Sequence, residues 1–224
     1  MTLLAPREAY RRWAPVYEAE NAITHLEQAE VAALGPSPVG RHLLDAGCGT
    51  GRRLAWSGAA RATGVDLSPE MLAQGRGNPA LTEVELIEGD LRALPLPDRA
   101  FDLVWCRLAI GHLAELEAAY AELARVAAPG ATVIVTDFHV AAHAAGHRRT
   151  FRVDGEIIEV AHFPHPAETQ VEAARCAGLT PRARSQAVIG PEVRRYYEAA
   201  GRLALFREHC GLPAVLALAF TRDG

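Results

Sequence analysis

Three glycines at alternate positions, Gly47, Gly49 and Gly51, stand between Asp45 and Arg52. Glycine has no Cβ, so such a run takes positive φ and lets a ligand lie against bare backbone. Two further acids, Asp66 and Asp90, each close a short apolar run. A carboxylate at the tip of the second strand, beyond a glycine loop, is placed to accept hydrogen bonds from ribose hydroxyls. One at position 90 could accept a hydrogen bond from an adenine amino group, or stand as a solvated loop acid or helix cap. Histidines form the third set, five of the nine falling between His139 and His165. Imidazole titrates near neutral pH, as a proton acceptor must. His139 at a strand end, His162, and His165 between Pro164 and Pro166 are the candidate bases. His139, His143 and His147 are four apart, so a helix would stack them on one side. Imidazole also binds transition metals, but no Cys or carboxylate stands nearby at a ligand spacing, and no metal site is assigned.

The elements that must hold these residues follow from periodicity and punctuation. Residues 41–46 read as a buried strand and 50–57 as the helix after it, whose free N–H groups would face a ligand over the loop. A strand, a glycine-rich turn and a helix is the mononucleotide-binding plan of open α/β sheets. Residues 61–65 form the second strand, ending at Asp66. Ser68 then caps a helix with Pro69 in its first turn. Residues 83–88 are the third strand and 101–106 the fourth, apolar enough to be covered on both faces. Arg107 and His112 follow it at the border of the pocket, His112 as a base or as a structural residue. A helix over 115–128 stops at Pro129-Gly130, and the fifth strand covers 131–138. Residues 149–153 and 156–163, joined by Asp154-Gly155, predict a hairpin. A helix over 167–177 with Gly178 at its end, strands over 182–189 and 214–221, and one helix over 192–209 complete the chain. Residues 7–34 are helical, broken by Pro15.

Asp45-x-Gly47-x-Gly49-x-Gly51, Asp66-Leu67-Ser68-Pro69-Glu70-Met71-Leu72, Gly89-Asp90-Leu91 and Pro129-Gly130 before a strand occur in that order. This series resembles the class I S-adenosylmethionine-dependent methyltransferases, over residues 8–138 by motif and beyond by element order. The resemblance implies an α/β, Rossmann-like fold. Its sheet would have seven mostly parallel strands, the last pair antiparallel, with helices on both faces. It implies S-adenosylmethionine as cofactor, held by Asp45, Gly47, Gly49, Gly51, Asp66, Leu67, Met71, Asp90, Leu91 and Arg107. Met71 reads equally as a core residue. Tyr10, Trp13 and Tyr17 match a stretch near the cofactor in similar small-molecule enzymes of quinone and secondary metabolism, and imply a lid. One domain would then comprise an N-terminal lid (1–34), a cofactor core (35–138), an insertion capping the substrate (139–166) and a closing helix and strand pair (167–224). The implied reaction is an in-line transfer of methyl to O, N or C of a small-molecule acceptor. An NAD(P)-dependent oxidoreductase is the rival, opposed by Arg52 where G-x-G-x-x-G needs glycine. A non-catalytic S-adenosylmethionine-binding module is the other.

The 224 residues carry a formal charge of −4, which argues against a nucleic-acid or anionic-membrane surface. No apolar run approaches the ~18 residues of a membrane span, and no secretion signal is visible. Cys48, Cys106, Cys176 and Cys210 lie far apart and read as reduced thiols of a cytoplasmic protein. A monomer or homodimer is expected.

Overall fold

The computed structural model describes residues 2–17 and 20–224; Met1, Glu18 and Ala19 of the expected lid lie outside them. The chain opens with β1 (Thr2–Leu4), α1 (Pro6–Trp13) and α2 (Ala22–Leu34). Asn21 caps α2 through a reciprocal capping box with Thr24. There follow β2 (His42–Ala46), β3 (Arg61–Asp66), α3 (Pro69–Arg76), β4 (Glu85–Glu88) and β5 (Phe101–Arg107). Then come α4 (Glu117–Val126), β6 (Ala127–Phe138), α5 (Val140–Ala144), β7 (Thr150–Val153) and β8 (Glu156–Val160). The chain closes with α6 (Ala167–Cys176), β9 (Leu179–Val188), α7 (Arg194–Ala199), α8 (Leu203–His209) and β10 (Pro213–Arg222).

Seven strands form one sheet in the order β4-β3-β2-β5-β6-β10-β9. The first five are parallel, and β10 runs antiparallel to both β6 and β9. Their central residues are apolar on both faces because both faces are covered: Leu43, Leu44, Leu103, Val104, Val133, Ile134 and Val135 are fully buried. The chain runs outward from β2 through β3 to β4, then returns to β5 on the other side of β2. That reversal opens a crevice beyond the carboxyl ends of β2 and β5, where ligands of open α/β sheets lie.

A second sheet, in the order β1-β8-β7, sits over the crevice. Asp154 (φ 48°) and Gly155 (φ 79°) make its hairpin turn, both in the left-handed region that a two-residue turn of this kind requires. The parallel pairing of β1 on β8 had no sequence signal, because a three-residue strand shows no period. It joins the N-terminal segment to the insertion: Trp13 stacks on Phe151 with centroids 4.6 Å apart, and Ala9, Ile158 and Val160 pack in the same apolar cluster.

Three sequence expectations are corrected. Residues 50–57 form no helix; they run as turns closed by Gly51 N–H to Cys48 O, Leu54 N–H to Gly51 O and Ser57 N–H to Leu54 O. Gly51 and Gly58 both have positive φ, and α3 lies so close that a Cβ on Gly75 would stand 2.2 Å from Thr50 O. The helix expected over 192–209 is broken at Gly201, whose φ of 66° ends α7 before α8 begins. Pro129-Gly130 does not separate α4 from the strand, since β6 begins at Ala127 and carries both residues.

Candidate active site

A cavity of about 380 Å³ lies between the sheet's carboxyl edge and the second sheet. Its floor is the glycine loop. Gly47, Gly49 and Gly51 have φ of 84°, 61° and 74°. A Cβ on Gly47 would fall 2.4 Å from that of Ala109, so only glycine lets the loop pass there. Gly47 and Gly49 line the cavity; Gly51 turns away toward Leu81 and Leu86.

Asp66, at the end of β3, faces the cavity and organises this floor. Its Oδ2 accepts Gly49 N–H at 2.7 Å and its Oδ1 accepts Ser68 N–H at 2.9 Å. Each oxygen keeps a lone pair for a further donor. Burial raises the Asp66 carboxyl above the ordinary range, against these backbone hydrogen bonds. Ser68 Oγ caps α3 on Met71 N–H, which aims Leu67 and Met71 at the cavity. Asp90 and Leu91 form the adjoining wall, with Asp90 held by Arg92 at 2.6 Å. That contact, more than burial opposes it, keeps the Asp90 carboxyl low.

Asp45 lies below the loop and does not line the cavity. Both its carboxylate oxygens, and Thr50 Oγ1, are buried without a hydrogen-bond partner among the described residues. Burial pushes the Asp45 carboxyl up to about 6, although Arg53 and Arg107 pull the other way. Arg107 lines the cavity with its guanidinium engaged below: Nε and Nη2 meet Glu27 at 2.8 and 2.7 Å. Glu27 also binds Arg53 and accepts from Thr136. Burial opposes its ionisation, but Arg53 and Arg107 outweigh it and hold the carboxyl below the usual range.

The N-terminal segment closes the cavity from above. Tyr10, Trp13 and Tyr17 all line it and pack as one aromatic group, Tyr10 stacked on Trp13 at 5.7 Å and Tyr17 edge-on to both. Tyr17 lies over the loop, its ring 3.5 Å from where a Gly49 Cβ would stand.

The far wall is cationic. Tyr10 Oη meets His112 Nε2 at 2.9 Å, and Arg149 Nη1 reaches Tyr10 Oη at 2.5 Å and His112 Nε2 at 2.9 Å. His112 Nδ1 lies 2.9 Å from Ala161 O. A carbonyl only accepts, so Nδ1 carries the proton and Nε2 accepts. Burial, then Arg149, holds His112 well below its ordinary pKa, so the ring is neutral. Burial raises the Tyr10 hydroxyl to about 12. His147, Arg148, Tyr196 and Tyr197 complete this end.

The three candidate histidines are placed around this cavity and none lines it. His139 caps α5, its Nδ1 accepting Ala141 N–H. His162 Nε2 is 3.0 Å from Asp137 Oδ1, with its ring 6.0 Å from that of His112. His165 Nε2 donates to Leu113 O at 2.7 Å. The expected face of three histidines does not form, because α5 ends at Ala144: His143 lies one turn after His139, its N–H bonded to His139 O, while His147 pairs with His209 at 2.6 Å. Among the described residues no group of three His, Cys, Asp or Glu is arranged to hold a metal. Arg149 and Tyr197 carried no site assignment from the sequence. Nothing local marks them, since Arg149 gains its neighbours from residues 37 and 139 positions away.

Residues 44–135 match the family described as "Methyltransferase domain". The chain is 37% identical over 132 residues to a malonyl-[acyl-carrier protein] O-methyltransferase of Serratia marcescens, which covers 58% of this chain and 51% of that protein. It is 31% identical over 144 residues to a demethylmenaquinone methyltransferase of Tropheryma whipplei, 59% of this chain and 58% of that one. The chain thus spans about half the length of these curated relatives. In fold it is similar to an S-adenosylmethionine-dependent methyltransferase of Mesorhizobium loti, with a TM-score of 0.69 at 20% identity over 88% of this chain and 98% of that one. No helix among the described residues is long and apolar enough to cross a membrane.

Proposed function

We propose that the core of this chain is a class I S-adenosylmethionine-dependent methyltransferase domain, and that the protein transfers the methyl group of S-adenosylmethionine to an O, N or C nucleophile of an acceptor bound under the second sheet. The observation that carries this reading is the fit of the cavity floor to that cofactor. Bare backbone at Gly47 and Gly49 adjoins a recessed Asp66 carboxylate with lone pairs to spare, and Asp90 lies one strand away.

S-adenosylmethionine supplies a methyl group on a sulfonium, which is already a good leaving group. The residues are left with alignment and the exclusion of water. Asp66 would hold the ribose hydroxyls by charge-assisted hydrogen bonds. Leu67, Met71 and Leu91 would enclose the adenine, and Asp90 would meet its amino group on giving up part of its contact with Arg92. Tyr17 over the loop and the Tyr10–Trp13 stack would close the site against water. Neutral His112, its Nε2 turned to Tyr10, would orient the acceptor. His162 and His165 would act through position, His162 from Asp137 behind His112 and His165 from the backbone of Leu113. A proton acceptor is required only for an acceptor that arrives protonated.

Calorimetry tests the reading. S-adenosylmethionine and S-adenosylhomocysteine should bind the purified protein and NAD should not. NAD binding with no response to S-adenosylmethionine would overturn it. Transfer of labelled methyl to any acceptor separates an enzyme from a module that only binds the cofactor.

A further inference from the structure

The charged groups that line the cavity differ in how their charge is met. Asp66 and Asp90 are the acids that line it, both at the cofactor end, and Asp90 is taken by Arg92. Arg107, at the same floor, is paired with Glu27, which Arg53 shares. Arg148 has Glu159 at 3.7 Å. Arg149 has no ion pair among the described residues: its Nη1 is spent on Tyr10 and His112, both neutral, and its plane lies 5.1 Å over the Phe138 ring. Its Nε and Nη2 make no hydrogen bond there. The nearby acid, Asp137, is engaged by His162, Gln170 and its own strand's Phe138 N–H.

A recessed guanidinium without a counterion is costly unless a ligand supplies one. The unspent edge, Nε with Nη2, is the planar fork that meets two oxygens of one oxyanion at once. We propose that Arg149 is the acceptor-specificity residue of this site and that the acceptor carries an oxyanion, a carboxylate or a phosphate ester, which Arg149 takes in a two-point contact. The proposal rests on the methyltransferase reading and narrows its acceptor. His112 and Tyr10 hold Nη1 and so set the angle at which the fork faces the cavity. The apolar ring of Phe138 beneath keeps water from one side of the guanidinium, which strengthens a charge pair made on the other.

Ligand-observed NMR titrations tell this apart from an acceptor held by shape alone. They use the full chain saturated with S-adenosylhomocysteine, with butyrate, methyl phosphate and the neutral butyramide as probes. At least one anion should bind tenfold or more tighter than butyramide, butyrate marking a carboxylate acceptor and methyl phosphate a phosphorylated one. Arg149→Gln should abolish that preference and Arg149→Lys should keep part of it, because a point charge remains without the fork. Equal binding of all three probes, or an anion preference unchanged in Arg149→Gln, overturns the proposal. If Arg149→Gln does not fold, the wild-type comparison of butyrate and methyl phosphate with butyramide decides it alone. Absence of S-adenosylhomocysteine binding would instead overturn the methyltransferase reading beneath it.

Discussion

The two walls of the cavity are built on different principles. The floor, from Gly47 to Leu91, is a set of loops that leave adjacent parallel strands, and each residue there is placed by the strand it follows. The opposite wall draws Tyr10 from α1, His112 from the turn after β5 and Arg149 from the start of the hairpin. No shared element holds these three; hydrogen bonds across 37 to 139 residues do. The floor has acids and bare backbone with Arg107 turned down to Glu27, while the opposite wall has cations and aromatics. On the proposed function, the difference teaches that binding the common part of the reaction would be left to the rigid scaffold. Choosing the variable part would then fall to a cap whose small sheet of three short strands is cheaper to reshape.

That comparison is open to attack at several points. The largest effect should come from Glu27→Ala, which strands Arg107 and Arg53 as buried charges between α2 and the sheet. We expect a loss of about 3–5 kcal/mol in urea unfolding at pH 7. The native Glu27 carboxyl lies below its unfolded value, so its contribution is present above the unfolded pKa and fades as pH falls through the folded one. The mutant and wild-type stabilities should therefore converge in acid. A difference independent of pH would mean that the charge is not what matters.

Removing residues 1–20 tests whether the two walls are separable. The seven-stranded sheet should remain folded by circular dichroism, while affinity for S-adenosylhomocysteine falls by about 100-fold as Tyr10, Trp13 and Tyr17 leave the site. Full affinity in the truncated chain would reduce these aromatics to packing. A smaller effect is expected within the floor: Asp66→Ala should weaken cofactor binding by roughly 1–3 kcal/mol. Unchanged calorimetric affinity in that variant would move the ribose contact elsewhere.

The smallest effect concerns Asp45. Its folded pKa of about 6 lies above the model-peptide value of 3.8, so the fold holds a proton that the unfolded chain has released. Stability thus falls as pH rises between those values, and the full penalty persists above the upper one. Asp45→Asn should raise the melting temperature by several °C at pH 8, where the full penalty of the ionised carboxylate applies. It should make no difference at pH 3. A lower melting temperature at pH 8 would show that the ionised carboxylate is stabilised by contacts made only when charged.

The sheet and its floor were legible in the sequence because local rules govern them. Apolar runs marked the buried strands, Ser68-Pro69 marked the start of α3, and the alternating glycines marked a loop that only glycine can make. Asp66 and Asp90 followed from their place at strand ends. The same local logic failed at residues 50–57, where two left-handed glycines and the press of α3 override a helical composition. It also failed at Gly201, a single residue that stops one helix and starts another. The cap was legible only as far as its Asp-Gly turn. That β1 would pair with β8 was decided by tertiary structure, as was the choice of His112 rather than His139, His162 or His165 to face the cavity. A three-residue strand has no period, and a histidine's neighbours come from segments far away in the chain. The placing of Arg149 on two neutral partners, with the nearby Asp137 engaged elsewhere, was decided in the same way. Sequence determined the types of group available and the strands that carry them; only the closing of the second sheet over the first decided which of them share a cavity and that Arg149 meets neutral partners there.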